Sequence, residues 1–237
     1  MRARLRLSGG ALALAAFLLA LGVGVAAAAT VIGDEGDNVL TGTPKHDKIL
    51  AEGGNDTVNA LEGPDQVRGG SGNDTIYGEG GHDRLSGGEG DDTLYGGDGG
   101  DQLLGRLGND TIAGEGGRDF MRGGRGDDRE DGGEGDDLIY AGPGVDIVLG
   151  GGGNDTIFAR ARVDVPIPGA DTVFAGPGDD MVFVRDGEPD VVACGSGFDV
   201  VVADPSDVVR PSCERVRVGA PQANEDASEE TGDETAP

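Results

Sequence analysis

Carboxylates recur every nine residues through the middle of this chain, at Asp56, Asp65, Asp74, Asp83, Asp92, Asp101, Asp110, Asp119, Asp128, Asp137, Asp146 and Asp155, with Asp47 and an uncharged Asn38 ahead of them. Carboxylate oxygens are hard, anionic ligands that suit calcium better than soft or tetrahedral-seeking metals. Neither cysteine lies within the repeats and only two histidines do, so a thiolate or imidazole site is not what repeats. The candidate chemistry is repeated cation binding.

The elements that must position these side chains are fourteen consecutive nonapeptides spanning 33–158 without an insertion. The most regular, such as Gly69-Gly-Ser-Gly-Asn-Asp-Thr-Ile-Tyr77, read G-G-x-G-x-D-x-U-x with U aliphatic. Place four is glycine in 13 of the 14 units, place six is aspartate in 13, and place eight is Leu, Ile, Val or Met in 13. The glycines permit positive φ, so six residues can reverse the chain and aim carbonyl oxygens inward. Places seven to nine then make a strand of three residues, with its middle side chain pointing to the core.

So short a strand buries nothing alone. Two nonapeptides must therefore close one coil of eighteen residues, and the coils must stack. Seven coils at the spacing of paired strands give a stack about 34 Å long. Place-six residues fall into two columns, one from Asn38 through Asp56, Asp74, Asp92, Asp110 and Asp128 to Asp146, the other from Asp47 through Asp65, Asp83, Asp101, Asp119 and Asp137 to Asp155. Like charges stacked at about 5 Å repel by roughly 1 kcal/mol per pair in water and by more when buried, so a divalent ion between turns is required.

These residues resemble the hemolysin-type, or RTX, calcium-binding repeats. The resemblance covers 126 residues. It implies an all-β fold, a parallel β-roll or β-solenoid with two repeats per coil. It also implies that each Ca2+ takes aspartate carboxylates and turn carbonyls from two units eighteen residues apart, with a ceiling of about twelve ions. Asn38 and Lys45, the latter in place of a turn glycine, depart from the pattern and lower that ceiling.

The formal net charge of −27 excludes nucleic acid as a partner. With 4% aromatic residues, no Trp and 48 glycines, the chain lacks material for a conventional core of its length, and disorder is the expected state without metal. Residues 1–29 carry Arg2, Arg4 and Arg6, an apolar run from Ala11 to Val25, and Ala27 and Ala29 at a cleavage pattern; they read as a signal peptide, too short a run for a membrane span. A secreted, extracellular protein follows, and Cys194 and Cys213 are expected to pair as a disulfide there. Residues 159–218, after a break at Ala159 to Pro168, read as degenerate repeats forming an irregular β cap closed by that disulfide. Residues 219–237, with Glu225, Asp226, Glu229, Glu230, Asp233 and Glu234, read as a disordered acidic tail.

No catalytic constellation is present in the sequence. His46 and His82, the two histidines, stand at place five of their turns and face solvent; Asn55, Asn73, Asn109 and Asn154 match a glycosylation pattern only because the repeat spells it. Thr57, Thr75, Thr93 and Thr111 form an outward rank beside Tyr77 and Tyr95, which reads as β-propensity on a solvent-facing strand or, more sharply, as a polysaccharide, ice or cell-surface face. Glu130 takes the inward place eight, which is costly unless Arg129 or Arg122 pairs with it; repeat drift or a hinge between two calcium-loaded blocks are the two readings. The chain therefore reads as a non-enzymatic calcium-binding module, with an adhesion module and the repeat remnant of an exported hydrolase as alternatives.

Overall fold

The computed structural model describes residues 28–159 and 169–220. The leader assigned to residues 1–29 lies outside the described residues up to 27, the break from 160 to 168 does likewise, and the acidic tail does so from 221 onward. The described residues form strands and turns only, with no helix.

An eleven-stranded sheet runs from Thr30–Ile32 to Arg215–Val218, and a ten-stranded sheet runs from Val39–Thr41 to Val208–Val209. Strands alternate between the two sheets along the chain, and every pairing is parallel. Through the regular array the register is eighteen residues, as in Gln66↔Arg84↔Gln102 and Thr75↔Thr93↔Thr111. The protein is thus a parallel β-solenoid of the β-roll type.

The reason is the one-sided pattern of each strand. Place eight points into the slot between the sheets, so Ile49, Val58, Val67, Ile76, Leu85, Leu94, Leu103, Ile112, Met121, Ile139, Val148 and Ile157 are all buried in one continuous core. Each such side chain contributes about 1.5 to 3 kcal/mol of transfer free energy. Parallel strands two coils long would expose that surface, which is why the array stands only as a stack.

Strand length departs from expectation. In the regular coils strands cover six residues, for example Thr75–Gly80, Arg84–Glu89 and Thr93–Asp98, because ladder pairing continues past place nine into the first three places of the next unit. Place two then needs φ above zero. Glycine supplies it at seven units from Gly70 to Gly151, while Glu52, Leu61, Glu79, Arg106 and Glu115 adopt it with side chains attached.

The carboxy-terminal stretch is irregular in spacing yet regular in pairing. Thr172 lies beside Ile147 and Met181 beside Thr156, an offset of 25 residues that leaves both sheets in register. Strands Val191–Ala193 and Val200–Ala203 extend the same sheets, and the Cys194–Cys213 disulfide closes this end.

Glu130 sits fully buried between Ile112 and Val148, as its place in the period requires. The sheet passes through it without a change of register, so no hinge is seen there. Neither arginine neutralises it: both of its oxygens lack a hydrogen-bond partner, and the Arg122 guanidinium lies over the Phe120 and Tyr140 rings.

Candidate metal centre

The two oxygens of each place-six aspartate have different surroundings. From Asp47 through Asp155, each backbone N–H at place six donates to Oδ1 of the place-six aspartate one coil ahead, at 2.6 to 2.9 Å. The carboxylate is thereby locked to the preceding coil. Its Oδ2 is buried and has no hydrogen-bond partner in any of the twelve aspartates from Asp56 to Asp155.

Unpaired buried carboxylate oxygens are costly, and an array of them needs a cation. A backbone carbonyl approaches the same place. The Cβ direction of Gly78 is blocked by Oδ2 of Asp83, and that of Gly114 by Oδ2 of Asp119 and by the oxygen of Gly132, one coil ahead. Among the described residues no three His, Cys, Asp or Glu side chains gather into a metal-holding group. Each turn instead offers a carboxylate oxygen together with backbone oxygen, a donor set that suits a hard cation of high coordination number.

Asp47 differs. Its Oδ2 accepts from the Thr43 backbone and hydroxyl, so it is not orphaned. Lys45, in the glycine place of this turn, avoids positive φ, and its N–H turns back to the Thr43 carbonyl at 2.7 Å. Asn38 likewise spends its Oδ1 on the Asp34 N–H.

The family model for the RTX calcium-binding nonapeptide repeat, in four copies, matches residues 32–67, 60–94, 95–130, 131–159 and 168–188. The chain belongs to the RTX repeat family. A search of curated proteins finds no match.

Beyond residue 158, in the stretch that reads as degenerate repeats, the RTX columns continue through aspartates that the sequence did not single out. Asp146 N–H donates to Asp171, Asp171 to Asp190, Asp155 to Asp180 and Asp180 to Asp199, and Oδ2 of Asp180, Asp190 and Asp199 is orphaned like its counterparts upstream. An aspartate before each Val-rich strand was the available signal. The 25-residue offset hid it, although Gly169, Gly178 and Gly197 keep the place-four glycine ahead of Asp171, Asp180 and Asp199.

A second ladder, also not anticipated, runs the other way at place five. Asn73 N–H donates to Asn55 Oδ1, Asp91 to Asn73, Asn109 to Asp91 and Asp127 to Asn109, at 2.8 to 3.0 Å. His82 does the same through Nδ1, which accepts from the Gly100 N–H. This is why asparagine, aspartate or histidine recurs there, and both histidines are exposed.

Burial, first, pushes the place-six carboxyls from Asp56 to Asp155, and those of Asp180 and Asp190, up from their usual 3.8; the donated N–H pulls back, and in most of them neighbouring aspartates push further. Asp83, Asp92, Asp119 and Asp155 reach about 7, and Asp128 about 8. For Asp146, also about 8, the Asp171 charge ranks next after burial, and Asp190 reaches about 9. Asp56, Asp65, Asp110 and Asp180 are raised less, to about 6.

Proposed function

We propose that this chain is an exported, non-catalytic structural module that folds as it takes up Ca2+ between successive turns. The observation that carries the reading is the row of buried aspartate Oδ2 atoms with no partner, one per turn from Asp56 to Asp155. These twelve residues would hold the ions, with turn carbonyls completing each set; Asp180, Asp190 and Asp199 extend the columns. Bound calcium supplies positive charge between carboxylates that otherwise repel. The aspartates meanwhile hold adjacent coils together through Oδ1, and the aliphatic place-eight residues exclude water from the slot.

Export rests on the leader pattern in residues 1–29 and on the Cys194–Cys213 bridge, which fits an oxidising compartment. Calcium there is abundant enough for sites of roughly 10⁻⁴ to 10⁻³ M. Adhesion through the threonine rank is the weaker reading. Thr57, Thr75, Thr93 and Thr111 do stand side by side, but Tyr77 and Tyr95 stack on one another at 5.1 Å, which occupies one face of each ring.

Circular dichroism across a calcium titration of the chain without residues 1–29 tests the proposal. The expected outcome is a largely disordered spectrum in chelator and a cooperative gain of β-signal within that concentration range. Equal β-signal with and without calcium would overturn it.

A further inference from the structure

We propose that Glu130 is an additional calcium ligand, so that the turn beginning at Gly123 holds its ion with one carboxylate more than its sister turns. This rests on the calcium reading above and deepens it at one position. The place-eight side chains of the other thirteen units are aliphatic and fill the slot between the sheets. Glu130 alone brings charge there, fully buried, with Oε1 and Oε2 both unpartnered.

Its carboxylate is not aimed at random into the core. A Cβ built on Gly123 would collide with Glu130 Oε1, with Asp128 Oδ2 at 2.5 Å and with the Ala141 carbonyl oxygen at 2.6 Å. At Gly105 and Gly114 the nearest atoms to the same construction belong to the place-six carboxylate and the carbonyl one coil ahead. The Glu130 oxygen has therefore joined the pair of oxygens that every regular turn presents. The acidic groups that act on it are Asp146, Asp128 and Asp171, all in the place-six column of the ten-stranded sheet. Two carboxylates, from Asp128 and Glu130, thus bear on one gap together with the Ala141 carbonyl oxygen.

Without a cation this gap carries like-charge repulsion that its sister gaps lack, because Glu130 adds a carboxylate where they have an aliphatic side chain. With one it is the most strongly held, because calcium sites tune their affinity by the number of charged ligands. A hard cation that accepts many oxygens fits the set, which favours calcium over magnesium, whose demand for near-octahedral geometry and retained water a buried slot does not meet.

The test compares wild type with Glu130→Gln, Glu130→Ile and the control Glu134→Gln, which removes the same charge from an exposed turn position. Calorimetric calcium titration and melting in saturating calcium are the readouts. Both Glu130 variants should weaken the tightest class of calcium sites by about ten-fold or more, while the control leaves it unchanged. Failure of Glu130→Ile to fold even in calcium would also support the proposal, since an aliphatic residue at this place is what thirteen sister units carry. The proposal is overturned if Glu130→Ile melts higher than wild type with calcium uptake unaltered. Wild type that takes up no calcium would instead overturn the parent reading.

Discussion

The place-six aspartate does two jobs with two oxygens, and substitution can separate them. Asp92→Asn keeps an oxygen to accept the Asp74 N–H, 2.8 Å away, but replaces the orphaned Oδ2 with an amide. Its calcium midpoint should rise by about an order of magnitude, the scale on which ligand charge tunes such sites, while Asp92→Ala should lose the coil contact as well. Asp47→Asn should shift the midpoint little, because Asp47 has already committed Oδ2 to Thr43. Calcium titrations followed by circular dichroism decide the order, and equal shifts for Asp92→Asn and Asp47→Asn would refute the division. The sequence named these aspartates through their period and even placed Glu130 in the core. It could not tell which oxygen of each carboxylate is spent on the next coil, since periodicity gives the direction of a side chain and not its bonds.

At the scale of the turn, place two carries the backbone cost. Seven units meet its positive φ with glycine, whereas Glu115 meets it at φ 72° with an exposed side chain. Glu115→Gly should therefore stabilise the calcium-loaded roll by about 0.5 to 1 kcal/mol, relief of the left-handed strain outweighing the greater freedom glycine gives the unfolded chain. Denaturant unfolding in saturating calcium measures it; a loss of stability would mean that the side chain contributes more than its backbone costs. The sequence anticipated tight glycine turns but stopped the strands after three residues. It missed the continuation through places one to three because that pairing is made by backbone groups, which leave no mark on residue type. It also missed Asp171, Asp180, Asp190 and Asp199 as members of the columns, since the nine-residue rule is broken between Asp155 and Asp171 and only pairing restores it.

At the scale of the whole molecule, the stacked carboxyls make acid and calcium alternative stabilisers. Asp83, Asp92, Asp119 and Asp155 are raised to about 7 in the metal-free roll, Asp128 and Asp146 to about 8 and Asp190 to about 9, against 3.8 ordinarily. A raised carboxyl favours the fold while protonated, so this contribution is complete below pH about 4 and is lost as pH rises through about 7 to 9. In chelator, β-signal should thus be greater at pH 5 than at pH 8, and calcium uptake at pH 7 should release protons. Circular dichroism at the two pH values and calcium addition in weakly buffered solution check the sign; more structure in chelator at pH 8 would reverse the account.

The eighteen-residue register gives the surface a parity that the core lacks. Thirteen of the fourteen nonapeptides fill the slot with an apolar side chain, whichever sheet they join, but odd and even units look out on opposite sides. Excision of residues 87–104, one full coil, should bring Thr75 next to Thr111 on the same sheet. Excision of 87–95 alone should fold as readily with calcium yet send everything downstream to the other side. Cysteines introduced at Thr75 and Thr111 report the difference, since neighbouring parallel strands meet the reach of a disulfide and opposite sheets do not. Oxidation should link them in the even deletion and leave them apart in the odd one. A solenoid of this kind can thus gain or lose half-coils without penalty to folding while exchanging one face for the other, so its length and its surface pattern vary by different rules.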